Sequence, residues 1–246
     1  MHPAPSQTIR ATIATLLLAL PAPFLAQETK PTAPTPETHT LKATTHAPLI
    51  VIGFTGGFIK RTSAVHGEVA LAHHLREKYG ALIHAGIFEN HHSKEAHREI
   101  LRLITAQHIA NKNARVILYG HSWGASEAVA VARQLQLDDV PVLLVAQVDG
   151  VNKRQADDSL IPANVAEAIN FYQTEGILHG RPAIRAANPA ATKILGNIHL
   201  SYKHNEIACP GYPWFARTFT KRHIEIENDP RVWNQVEAMI QANLPS

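Results

Sequence analysis

Residues 120–124 read Gly-His-Ser-Trp-Gly. They follow a short apolar run, Val116 to Tyr119, and lead at once into Ala125, Ser126, Glu127 and Ala128, which suit a helix. A strand, a tight turn and a helix around G-x-S-x-G are the parts of a nucleophile elbow, which pushes its serine out at the top of a sheet. Gly120 and Gly124 omit side chains where strand and helix come together, so Ser122 points outward at a helix N-terminus. There the helix dipole and the Trp123 backbone N–H can stabilise developing negative charge. A dinucleotide-binding loop would need a third glycine and would sit on the first strand, whereas this turn follows the third.

A serine hydroxyl is a weak nucleophile until a base takes its proton, and the base needs a buried carboxylate to fix its tautomer. That carboxylate belongs at the end of a parallel strand, the edge where open α/β sheets bind ligands. Asp149 stands there, after the apolar run Pro141 to Val148 and before Gly150. Asp157, Asp158 and Glu206 are the alternatives, and a D-G turn is the plain structural role for Asp149. His199, His204 and His223 are the candidate bases. A glycine-bearing loop, Phe54-Thr55-Gly56-Gly57-Phe58, follows the first apolar run. Its Thr55 or Gly56 amide would join that of Trp123 in holding an oxyanion. No Gly-Lys-Ser or Gly-Lys-Thr follows, which sets a phosphate-gripping loop aside.

The elements that must position these groups alternate. Leu49 to Phe54 reads as a strand buried on both faces, and Ala64 to Tyr79 as a helix carrying Val65, Val69, Ala72 and Leu75. Leu82 to Phe88 reads as a strand, and Ser93 opens a helix with Ile100, Leu103, Ile104 and Ile109 on one face. Arg115 to Tyr119, a helix from Ser122 to Leu135, and the strand Pro141 to Val148 complete the regular part. Beyond it, Asn164 to Thr174 is expected as a helix and Ile194 to Tyr202 as the last strand. Asp229 and Pro230 open a C-terminal helix. Strands separated by helices of this length imply a mostly parallel sheet with helices on both faces.

With Gly-His-Ser-Trp-Gly on the third strand, the chain resembles the α/β-hydrolase superfamily, in particular its secreted lipase-like and thioesterase-like branch. The resemblance spans about residues 49 to 240, and is specific at the elbow alone. It implies a nucleophile, an acid and a histidine in that chain order, which Ser122, Asp149 and His223 satisfy. It favours His223, in the late loop before the C-terminal helix, as the base. Two further N-terminal strands usual in the superfamily are missing, so the fold is expected shortened at that end. It also implies a cap over the pocket within residues 150–192. Phe58, His121 and Phe171 are then expected at the substrate. The implied activity is hydrolysis of an acyl ester or thioester through an acyl-enzyme. A non-catalytic binding protein, or a peptidase or haloperoxidase-like hydrolase on the same fold, is the alternative.

Composition bounds the rest. The chain has 246 residues, 45% hydrophobic and 17% charged, with a formal net charge of +3 from 23 basic and 20 acidic residues. That balance suits one folded domain, and the basic residues form no stripe of the kind that binds nucleic acid. A single cysteine, Cys209, allows neither an internal disulfide nor a cysteine-based zinc site. Sixteen histidines show no H-E-x-x-H or comparable ligand spacing, so neither metal nor cofactor is expected. Residues 1–26 place Arg10 before an uncharged, leucine-rich stretch ending in small residues, the layout of a secretory signal peptide. Pro21 and Pro23 interrupt it, so no stable membrane span is expected. Residues 27–48, rich in proline and threonine, read as an extended tether before a domain from residue 49 to 246. A secreted or periplasmic location follows.

Overall fold

The computed structural model describes residues 47–153 and 157–245; the expected leader and nearly all of the expected tether lie outside these. Strand β1 (Leu49–Phe54) is buried along its whole length. Its alternation explains why. Ile50, Ile52 and Phe54 join one apolar cluster with Ile100, Ile104 and Leu118, whereas Leu49 and Val51 join another with Leu75, Val236 and Ile240. A strand that is apolar on both faces must be covered on both. Helices α1 (Gly67–Tyr79) and α6 (Pro230–Ala242) supply one cover, α2 (Ser93–Ala106) and α3 (Trp123–Leu137) the other. Asp229 caps α6 by accepting from the Arg231 N–H, with Pro230 in the first turn where its missing N–H costs nothing.

The remaining strands are β2 (Ile83–Phe88), β3 (Val116–His121), β4 (Val142–Val148), β5 (Leu160–Ile161), β6 (Val165–Tyr172), β7 (Arg185–Ala186) and β8 (Lys193–His199). The main sheet has the order β2-β1-β3-β4-β6-β8 with every pair parallel; β5 and β7 form a separate short ladder. This is an α/β-hydrolase-like architecture. The chain steps from β1 outward to β2 and returns to place β3 on the other side of β1. Sheets of this kind open a crevice where the order reverses, at the carboxyl ends of β1 and β3. No helix among the described residues is long and apolar enough to cross a membrane.

β2 is an outer strand. A groove of about 1160 Å³ runs along it, lined by the strand itself and by Arg61, Arg76, Glu95, Glu99 and Arg102. It holds none of Ser122, Asp149 and His223.

Three expectations are corrected. Residues 164–174 are not a helix: most of them form β6, inside the sheet between β4 and β8. Val165 and Ile169 are four apart, which suits a helix face, but Val142 pairs with Val165 and Val148 with Phe171 in a parallel ladder. Its one central amide, Asn170, is buried and donates through Nδ2 to Arg181 O at 2.9 Å and Asn197 Oδ1 at 3.2 Å. The segment from which a cap helix was expected is therefore core. His223 does not sit in a loop but on a short helix, α5 (Lys221–Glu227), which follows α4 (Trp214–Phe219). Finally, α1 starts at Gly67, leaving Val65 outside it and 44% exposed.

Candidate active site

Ser122 lies between β3 and α3 with φ 56° and ψ −123°. A left-handed conformation at a residue with a side chain costs about 1–3 kcal/mol and persists only where the surroundings enforce it. They do here. The Ser122 N–H donates to Val148 O at 2.9 Å, and its carbonyl accepts from Ala125 N–H at 3.1 Å and Val151 N–H at 3.2 Å. The flanking glycines are enforced too: a Cβ on Gly124 would stand 2.2 Å from Phe54 O, and one on Gly120 would stand 2.3 Å from Gly124. Helix and strands could not close to this distance around any other residue.

Asp149 directly follows β4, also at positive φ, 44°. It is fully buried, and four donors converge on its two oxygens. Oδ1 accepts from Gly180 N–H at 2.6 Å and Gln173 N–H at 3.2 Å; Oδ2 accepts from Gln173 Nε2 at 2.8 Å and His223 Nδ1 at 2.6 Å. Such donors are what a buried carboxyl needs in place of water. Because β3 and β4 are neighbours, the elbow and the end of β4 adjoin, and His223 completes the group from α5. With Nδ1 engaged by Asp149, the Nε2 of His223 is left for other work.

The other candidates are occupied elsewhere. Asp158 bonds Ser126 and pairs with Arg181. Asp157 pairs with Arg185 at 2.7 Å, and Glu206 with Lys221 at 2.6 Å. His199 Nε2 meets Thr174 Oγ1 at 3.1 Å on an exposed strand, and His204 is exposed. Phe58 is 96% exposed and sets its ring edge-on to Trp123, centroids 5.6 Å apart, which places it on the rim of the elbow. Phe171 and His121, by contrast, are each 1% exposed. Phe171 packs in the core cluster with Tyr202 and Ile226.

Trp123 is the first residue of α3, where an N–H has no helical acceptor. The two other amides expected beside it are engaged: Thr55 N–H donates to Phe88 O at 2.9 Å, and Gly56 N–H to Glu68 Oε1 at 3.2 Å.

Glu68 opens a second cluster that the sequence does not announce. It is buried, as is Glu227 at the end of α5, and carboxylate oxygens of the two lie within 4.8 Å of each other and of a His66 ring nitrogen. His66 Nδ1 lies 2.5 Å from Glu227 Oε1, with the Tyr212 hydroxyl 3.0 Å from the same nitrogen. Burial pushes Glu227 up to about 7; burial and then the Glu227 charge push Glu68 well above the carboxylate range. Burial, followed by the neighbouring His223 and His66, holds His121 well below the imidazole range, so it is neutral at pH 7. Metal-type donors converge in two places among the described residues: this buried trio of His66, Glu68 and Glu227, and the more open Glu89, His91 and His92.

Gln173 and Gly180 also went unseen in the sequence. Gln173 follows β6 as Asp149 follows β4, and that shared position at a strand end is its one local signal. A Cβ on Gly180 would stand 2.6 Å from the Asp149 backbone and from Oδ1. Gly180→Ala is therefore expected to push residues 173–180 away from the acid, lowering the melting temperature by an amount worth about 1–3 kcal/mol. Thermal unfolding checks this, and an unchanged midpoint would show that the loop yields freely.

No family model matches the chain, and no curated protein matches it. Solved structures similar to it include a cutinase-like protein from Cryptococcus sp., at 13% identity over 81% of this chain and 96% of that one, with a TM-score of 0.42. Another is RedJ with a PEG molecule bound in its active site, at 12% identity over 83% of this chain and 96% of that one, TM-score 0.34.

Proposed function

We propose that the chain is a serine hydrolase that cleaves acyl esters or thioesters through an acyl-enzyme intermediate. The observation that carries this reading is Ser122 held at a strained elbow beside the buried His223–Asp149 pair, Nδ1 to Oδ2 2.6 Å. As Ser122 Oγ adds to the substrate carbonyl carbon, its proton passes to His223 Nε2. Asp149 keeps the ring in the tautomer that can accept it. The carbonyl oxygen becomes an oxyanion, which the Trp123 N–H and the N-terminus of α3 receive. When the C–O or C–S bond breaks, His223 returns the proton to the leaving alkoxide or thiolate. Water then adds to the acyl group, gives its proton to His223, and the acid leaves as Ser122 Oγ is reprotonated. No cofactor enters these steps.

Phe58, Trp214, Phe215 and Phe219 are all more than half exposed. Phe58 touches Trp123, and the other three lie on α4, immediately before the helix of His223. Apolar side chains in such positions suit an acyl group of hydrocarbon character. The test is covalent labelling by a fluorophosphonate, with turnover on nitrophenyl esters and acyl thioesters of graded chain length. An unlabelled protein, inert to the whole panel, would leave a binding function on this fold.

The reading includes export. The exported protein is expected to begin close to Gln27, as N-terminal mass analysis will show; an intact Met1 on exported material would remove the leader.

A further inference from the structure

Glu227 lies four residues after His223, one turn along α5 and so on the same side of that helix. It meets Glu68 from α1, whose Oε1 takes the Gly56 N–H at 3.2 Å. His121, beside the nucleophile, turns Nδ1 to within 3.6 Å of Glu227 Oε1 and sets its ring 4.5 Å from that of His223. The two carboxyls thus touch the loop after β1, the elbow and the helix of the base, the three elements that must agree for Ser122 to react.

The spacing within this cluster suits a proton rather than a metal ion between the carboxyls. Two ligands on one zinc ion, at bonds of about 2.0–2.1 Å, stand about 3.3 Å apart in a tetrahedron. His66 Nδ1 and Glu227 Oε1 are 2.5 Å apart, a hydrogen-bond separation. Two adjacent carboxyls closed off from water cannot both ionise, so one proton stays between them. The titratable groups facing the pair are His66, Tyr119 and His121 from β3, Tyr212, and the Cys209 thiol; none is a permanent cation.

We propose that Glu68 and Glu227 share one proton and, as a pair, position the Gly56 loop and the His223 helix against Ser122. The inference rests on the serine-hydrolase reading for its catalytic meaning. It makes both residues positioning residues, since neither touches substrate.

The pair also sets a pH dependence. In the unfolded chain both carboxyls ionise near their ordinary value of 4.5, whereas in the folded protein Glu227 does so at about 7 and burial holds Glu68 well above its ordinary value. Between those limits the folded state holds more protons, so the stability from this pair is fully present below about 4.5 and is lost as pH rises through about 7 and beyond.

The test uses the full chain, Glu68→Ala and Glu68→Gln, with kcat and KM on a short ester and the melting temperature from pH 5 to 9. Glu68→Ala is expected to lower kcat by about 10–100-fold, the cost of a small misplacement, with KM within about threefold. Glu68→Gln accepts from Gly56 and donates to Glu227 without being able to ionise. It is expected to recover most of the lost turnover and to flatten the fall in melting temperature at alkaline pH. Equal damage from both variants, a wild-type melting temperature that does not fall with pH, or a stoichiometric divalent metal in the purified protein would overturn the proposal. Should Glu68→Ala fail to fold, the thermal profile of Glu68→Gln decides alone. Failure of the hydrolase reading is seen separately, as a wild-type chain inert to the fluorophosphonate.

Discussion

Ser122→Ala is expected to fold as the parent does and to lose about 10⁵–10⁶-fold in ester turnover, since nucleophile and base act as one unit. The fold is spared because alanine keeps the Cβ and the backbone bonds of Ser122 to Val148, Ala125 and Val151. The left-handed backbone strain stays as well, so the melting temperature should move by less than about 0.5 kcal/mol in equivalent stability. Labelling by a fluorophosphonate should vanish in parallel. A variant that is still labelled, or that retains a tenth of the parent turnover, would take the nucleophile away from residue 122.

Asp149→Asn is expected to cost about 10⁴-fold, as loss of the orienting carboxylate does in serine triads. The surroundings make the argument specific. Both oxygens of Asp149 receive only donors, so an amide NH2 placed at either one faces a donor. Gln173 cannot relieve the clash by turning over, because its Oε1 is held by Glu175 N–H at 2.9 Å and Gly176 N–H at 3.0 Å. Two backbone N–H groups fix the other side. The remaining adjustment is for His223 to accept at Nδ1 and carry its proton on Nε2, which removes the base. Melting should fall by an amount worth about 1–3 kcal/mol for the donors left imperfectly paired. Turnover within about tenfold of the parent would mean that some other group orients the histidine.

The frame of the protein was readable because it is local. β1, β3 and β4 are apolar runs ended by glycine or by Asp149, and Asp229-Pro230 announces α6 in two residues. Ser122 is given by five consecutive residues, and Asp149 by its position at a strand end. β6 was misread because Val-Ala-Glu-Ala-Ile mixes helix formers with an i,i+4 apolar pair; only its neighbours β4 and β8 decide for a strand. His223 looked like a loop residue because α5 is seven residues long and lacks a side-chain cap. Glu68 and Glu227 left no local trace at all. Glu68 reads as an ordinary polar residue of a helix and Glu227 as one of a loop, and their meeting spans 159 positions of sequence. Gln173 and Gly180 likewise acquire their meaning only when folding brings them to Asp149.

The groove along β2 bears on how the molecule behaves among copies of itself. An outer strand offers a row of unpaired amides and carbonyls to any extended segment that comes near. Among the described residues no strand pairs with β2 on its outer side, which leaves that row at the border of the sheet. Arg102 and Glu99, bonded at 2.7 Å, stand beside it with Arg61, Arg76 and Glu95. A second chain adding itself there would have to strip water from those charges, and a run of apolar side chains could not compensate them. The charged border thus keeps the sheet from growing into its neighbours.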